Sequence, residues 1–152
     1  MSKYWEKNWT LYFRIGSHQI FAISNAQKGK FCYEKAFTIT EKNFGPDHPK
    51  TRITLTNLGN AYGSLGNFEK QKELLELALK ITEKNFGPDH TNVGITLLCI
   101  GQLHESLGNL KRALENTERA YKIFLNFSGF GLITCILRLL SKSWKLIKKV
   151  KN

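Results

Sequence analysis

Two Asp-His pairs, Asp47-His48 and Asp89-His90, are the residues whose types most readily suggest chemistry. A carboxylate beside an imidazole can ligate a metal or assist a proton transfer. Each pair ends the same ten-residue string, ITEKNFGPDH, at Ile39–His48 and again at Ile81–His90. Adjacent residues on one loop are poorly placed to share an ion, and units stacked side by side would hold His48 and His90 at least one helix-pair width apart. Cys99 and His104 stand five residues apart on a predicted helix. That spacing does not bring side chains together, so both are expected to line a core or a surface. The sequence holds no nucleophile elbow, Gly-rich phosphate loop, H-E-x-x-H or Cys/His cluster. No catalytic residue, metal site or cofactor is expected, and the repeated string reads as a connector between structural elements.

The connector has an internal logic. Ile39 and Ile81 lie near the end of a helix, Phe44 and Phe86 anchor the chain, Gly45 and Gly87 break it, and Pro46 and Pro88 keep it extended. Asp47 and Asp89 occupy the place where an N-cap is wanted, and Pro49 suits a first helical turn. The two copies are 42 residues apart. Residues 39–80 and 81–122 share 22 identities in 42 positions, including Ser64–Asn67 with Ser106–Asn109. A fixed period in this range marks a stacked-repeat architecture.

Within one unit the pattern is helical. Ile53, Leu55, Leu58, Ala61, Tyr62 and Leu65 recur at three- and four-residue steps. After Gly66-Asn67 a second stripe follows: Phe68, Leu74, Leu75, Ala78, Leu79 and Ile81, with Glu69, Lys70, Lys72, Glu73, Glu76 and Lys80 turned to water. Gly66 fits a left-handed helix end and Asn67 the cap of the next helix. Each unit is therefore expected to be two antiparallel helices of about sixteen residues, which bury their stripes by stacking.

Leu55-x2-Leu58-Gly59-x2-Tyr62, followed by Ala78, is similar to the tetratricopeptide pattern W-x2-L-G-x2-Y…A, with Leu in the Trp place. The 42-residue period and the linker NFGPDHP resemble the longer repeat of kinesin light chains and their relatives. HEAT and armadillo repeats share the period but not the Leu-Gly-x2-Tyr spacing. The resemblance implies an all-α fold, an α-solenoid of stacked antiparallel helix pairs, over residues 8–127. Its units would be a degenerate one at 8–43 and two at about 47–85 and 89–127. Gln71 stands where the family prefers Ala, so looser helix packing is expected there. Thr117 stands where a large apolar residue is expected.

Length and charge agree with one such domain. The chain has 152 residues, 41% of them hydrophobic, and a formal net charge of +11. Residues 1–118 carry 15 Lys/Arg against 12 Asp/Glu, whereas residues 119–152 carry eight basic side chains and no acid. The basicity thus belongs to one end. Cys32, Cys99 and Cys135 are widely spaced, which argues for a reducing compartment, the cytoplasm. Glu6 and Arg14 interrupt the apolar N-terminal residues, so no signal peptide is expected. The longest uncharged run, between Lys122 and Arg138, falls short of the roughly 20 residues needed to span a bilayer.

From Ile133 a further stripe, Ile133, Ile136, Leu137, Leu140, Trp144 and Ile147, predicts an amphipathic basic helix over 132–150. It would cap the last repeat or rest on an anionic membrane surface. A basic run with one aromatic residue offers phosphate attraction without base readout, which argues against nucleic acid as the partner. The function expected is a protein-interaction module that holds a peptide or partner segment in a concave groove. The alternative is a membrane-surface adaptor using the C-terminal helix. By the family register the groove positions are Ile53, Thr56, Asn57, Asn60, Gly63 and Ser64, then Ile95, Leu98, Cys99, Gln102, Glu105 and Ser106. Asn57, Asn60, Ser64, Gln102 and Ser106 are the expected partner-binding residues, since a carboxamide can both donate to and accept from a peptide backbone. With two intact units and degraded ends, the chain is expected to be a marginal or fragment-like array that self-associates.

Overall fold

The computed structural model describes residues 23–126, with side chains from Ala26 onward. The part of the expected degenerate unit before residue 23 and the expected basic helix at 132–150 lie outside the described residues. Five helices follow one another: α1 (Ile23–Phe44), α2 (Pro49–Ser64), α3 (Phe68–Phe86), α4 (Thr91–Ser106) and α5 (Leu110–Asn126). No strand occurs among the described residues. They divide into two compact units, one ending at Asn85 and the other beginning at Phe86.

Helix starts lie one residue beyond the expected aspartate caps. His48 and His90 are the N-caps of α2 and α4, both extended (ψ 145° and 146°). Their Nδ1 atoms accept from the backbone N–H of Lys50 and Asn92, each at 3.1 Å. Asp47 and Asp89 are therefore not the caps. The reason is a stacking contact: the His48 ring lies on Phe44 with centroids 4.4 Å apart, and His90 on Phe86 at 4.7 Å. Phe, Gly and His together fold the connector back on itself, and the imidazole arrives at the first helical turn already oriented. Pro49 takes the first-turn position of α2, where it forfeits no intrahelical bond.

Helix ends repeat as faithfully. Gly66 and Gly108 take φ of +78° and +73°, the left-handed conformation that only glycine adopts without strain. The Gly66 N–H donates to Gly63 and the Asn67 N–H to Tyr62, at 2.9 and 3.0 Å; Gly108 and Asn109 donate likewise to Glu105 and His104. These are the two bonds of a Schellman motif. The same asparagines then cap the next helix, accepting from Lys70 and Arg112 at 3.0 and 3.3 Å.

The first unit packs α1, α2 and α3 around Tyr33, Leu55, Leu58, Ala61, Leu74, Ala78 and Ile81, with Phe37 and Tyr62 against them. Thr40 meets Thr54 (Oγ1 atoms 3.1 Å apart, buried), and Tyr62 Oη donates to Glu34 at 2.9 Å. Later residues of α1 thus face earlier ones of α2, so the two run antiparallel. Gly59 lies against Leu74 and Leu75, and Gly63 against Gln71, which makes α2 and α3 an antiparallel hairpin too. In the second unit Gly101 faces Ala113 and Thr117 while Gly94 faces Phe124, the same arrangement for α4 and α5. Its buried apolar residues are Val93, Leu97, Ile100, Leu103, Ala113, Ala120, Ile123 and Phe124.

The looser packing expected at Gln71 is not found. Gln71 is buried, and its amide lies over the α-carbon of Gly63, where a β-carbon would sit 2.7 Å from Nε2. A long side chain in place of Ala is accommodated because the facing residue has none. Thr117 is reconciled in a similar way. Its hydroxyl donates to the Ala113 carbonyl at 2.7 Å and stands 3.0 Å from where a Gly101 β-carbon would be.

Candidate functional site

The expected partner-binding positions lie on the first helix of each hairpin, α2 in the first unit and α4 in the second. On α2, Asn57 is half-buried and its Nδ2 donates to the Ile53 carbonyl at 3.0 Å. That bond uses one of four hydrogen-bonding positions on the carboxamide, and it fixes the rotamer along the helix. Asn60 is half-buried one turn further on. Ser64 is exposed, and its hydroxyl donates to the Asn60 carbonyl at 3.0 Å, leaving the oxygen lone pairs outward. Thr56, also a groove position by register, is buried and bonded to the Arg52 carbonyl at 3.0 Å, so it is packed rather than presented.

On α4, Gln102 and Ser106 are both exposed, and the Ser106 hydroxyl donates to the Gln102 carbonyl at 3.0 Å. Ile95 is exposed, whereas Leu98 and Cys99 are half-buried. Asn57, Asn60 and Ser64 thus belong to α2 of the first unit, and Gln102 and Ser106 to α4 of the second. Cys99 occupies the place of Asn57, so the carboxamides do not form a repeated ladder. What the register missed is Gln71, which belongs to α3 yet reaches the α2 position occupied by Gly63. The signal was in the alignment: Gly63 and Gln71 of the first hairpin correspond to Glu105 and Ala113 of the second, small for large at both places.

Electrostatics beside α2 are concentrated on one cluster. Lys30 lies 3.7 Å from Glu34 and 5.3 Å above the Tyr62 ring. Burial raises the Tyr62 phenol above its ordinary range, and its hydrogen bond to Glu34 adds to the rise. Burial pushes the Tyr33 phenol up to about 12 and raises the Cys32 thiol. Cys32 is buried and Cys99 half-buried. Among the described residues no group of three or more His, Cys, Asp or Glu could hold a metal ion. No described helix is long and apolar enough to cross a membrane.

A family profile described as tetratricopeptide repeat matches residues 10–70 and 72–126, and a second of the same description matches 51–92. The chain belongs to the tetratricopeptide repeat family. Among solved structures it is similar to BtubC (BKLC) from P. vanneervenii, with a TM-score of 0.71 and 22% identity. That match covers 82% of this chain and 51% of BtubC, so the tetratricopeptide chain spans about half the length of that relative. A kinesin-light-chain protein of Podospora anserina with nearly identical tetratricopeptide-like repeats gives 0.68 at 17% identity, covering 95% of this chain and 72% of that one. The tetratricopeptide domain of Sgt2 from Aspergillus fumigatus gives 0.61 at 22% identity, covering 94% and 81%. No curated protein matches the sequence. The repeats are of the kinesin-light-chain-like type, as the linker suggested. Tetratricopeptide folds typically serve as scaffolds for protein interaction, and membership of the family supports that role in general terms for this chain.

Proposed function

We propose that this tetratricopeptide protein holds an extended peptide segment of a partner protein against the first helix of a hairpin, through Asn57, Asn60 and Ser64 on α2 in the first unit, with Gln102 and Ser106 on α4 as the corresponding face of the second. The observation that carries the reading is the α2 face. It presents uncharged donors and acceptors at i, i+3 and i+7, and the Asn57 and Ser64 side chains are each tied to the turn before. Such groups lose little rotamer entropy on binding and still offer free lone pairs or N–H bonds to a peptide backbone. No chemistry is performed on the partner, and the face needs no cofactor. Action in the reducing cytoplasm is the reading that the wide spacing of Cys32, Cys99 and Cys135 supports.

The test is direct. Peptides selected from a random phage-displayed library on the intact chain are titrated against wild type and against Asn57→Ala plus Asn60→Ala. At least ten-fold weaker binding by the double variant, with unchanged helicity, is expected. Equal affinity would remove α2 from the reading. A second reading rests on charge alone: residues 119–152 carry eight basic side chains and no acid, so this end would rest on anionic lipid. Co-sedimentation with phosphatidylserine vesicles, with and without residues 132–152, tests it, and equal binding by both chains would exclude the tail.

A further inference from the structure

We propose that Lys28, Phe31, Lys35 and Lys42 on the exposed side of α1 form a second docking surface, which receives an acidic helix of a partner protein whose carboxylates recur every seven residues. The surface lies apart from the α2 face, and the proposal stands without the peptide reading of α2. Lys28, Lys35 and Lys42 follow one another at seven-residue intervals and all three are exposed. They therefore form one row along the helix, with steps of about 10 Å. Phe31, 55% exposed, stands beside that row, and the Lys35 ammonium lies 5.4 Å from the centre of its ring. Tyr33, Phe37 and Thr40, which pack toward α2, occupy the opposite side of α1. Glu34 and Glu41 border the face along the edge away from the lysines, and Glu34 is engaged by Lys30 and Tyr62.

The matching places on α3, 42 residues on, are neutralised within the chain. Lys70 pairs with Glu73 and Lys84 with Asp47, while Leu77 stands for Lys35 and Glu73 for Phe31. On α1, among the described residues, no carboxylate lies within ion-pair distance of Lys28, Lys35 or Lys42. α1 holds four Lys against two Glu and α3 four Lys against four Glu, so of the two helices α1 keeps the positive excess and the aromatic ring. Acidic side chains complement that excess. The spacing selects a helix as their carrier. Helical side chains recur after seven residues at nearly the same angle and the same rise, so Asp or Glu at that interval meets each lysine. Side chains on one face of a strand stand about 6.6 Å apart, and a step of about 10 Å falls between them. A lipid surface fits less well, because Phe31 is the one exposed apolar side chain of the face and Glu41 borders it.

The experiment titrates the intact chain, by fluorescence anisotropy, with a three-heptad helical peptide that carries Glu at every seventh position and Leu between them. An isomer of the same composition with scrambled Glu spacing serves as the control. The heptad peptide should bind, the isomer about ten-fold more weakly, and added salt should weaken the complex. Lys28→Gln with Lys35→Gln and Lys42→Gln should weaken heptad binding about ten-fold. Phe31→Ala should weaken it about three- to ten-fold, whereas Asn57→Ala plus Asn60→Ala should leave it unchanged. Each replaced α1 side chain is exposed, so the fold is kept, and the basic end of the chain is common to every variant. Charge exchange fixes the register: Lys35→Glu should lose the peptide and regain it when the central Glu of the peptide becomes Lys. Equal affinity for the two peptides, equal binding by wild type and the triple variant, no binding at all, or failure of the charge exchange overturns the proposal. So does a triple variant that loses phosphatidylserine vesicles but not the peptide, which would make the row a lipid contact. None of these results bears on the α2 reading, which its own double variant tests.

Discussion

The two hairpins, α2–α3 and α4–α5, share their punctuation and differ in their packing. Both start on a histidine cap stacked on a phenylalanine, and both turn on a Schellman motif closed by Gly and Asn. Inside, the pairs trade size. Gly63 with Gln71 becomes Glu105 with Ala113. Arg52 and Thr82, both buried, stand where the second hairpin has Gly94 under the ring of Phe124. The lesson is that backbone turns accept few residues and so stay alike in both units. Interior volume can be supplied from either of two facing helices, so it drifts in compensating pairs. A third difference is a latch present in the first unit. Lys84 pairs with Asp47, and Asn85 Nδ2 donates to the Asp47 carbonyl at 2.7 Å. The residues 42 positions on from Lys84 and Asn85 are Asn126 and Phe127, which cannot form that ion pair.

The comparison can be broken most sharply at Phe124. Phe124→Ala should cost on the order of 3 kcal/mol in urea denaturation, because the ring fills the space above Gly94. Thr82→Ala at the matching place should cost about 1 kcal/mol. Equal costs would deny that the ring is the compensating mass. Next comes Gly94→Ala, whose β-carbon would stand 2.8 Å from the Phe124 ring. A loss of about 1–3 kcal/mol is expected, largely recovered when Phe124→Leu is added. The caps should behave alike: His48→Ala and His90→Ala should each cost roughly 1 kcal/mol, and a clear inequality in their melting temperatures would show that the matching geometry conceals different roles.

Alkaline pH should act through Tyr33 of the first unit. Its phenol is held at about 12 by burial, against about 10 in an unfolded chain. The neutral form is favoured by folding, so this stabilisation is complete below pH 10 and is lost as pH rises from 10 through 12. Tyr33→Phe should flatten that part of the stability–pH curve, measured by urea midpoints at pH 9 and 11.5. The smallest effect belongs to the latch. Lys84→Ala breaks an exposed ion pair and should cost a few tenths of a kcal/mol, vanishing in high salt.

Much of the fold could be read from residues alone. Hairpins, helix ends at Gly66 and Gly108, asparagine caps and the connector role of NFGPDH all follow from a few adjacent residues. The backbone of a turn or a cap is decided locally, by φ range, missing donors and the nearest side-chain acceptor. The same locality explains why the Asp-His pairs read as parts of a connector. Tertiary structure decided the rest. It chose His48 over Asp47 as the cap, because the ring of Phe44 lies where only an imidazole can stack. It also carried Gln71 onto Gly63 and set Phe124 over Gly94. Which side chain fills a gap on a facing helix depends on the approach of two backbones, and no window along one helix contains that distance.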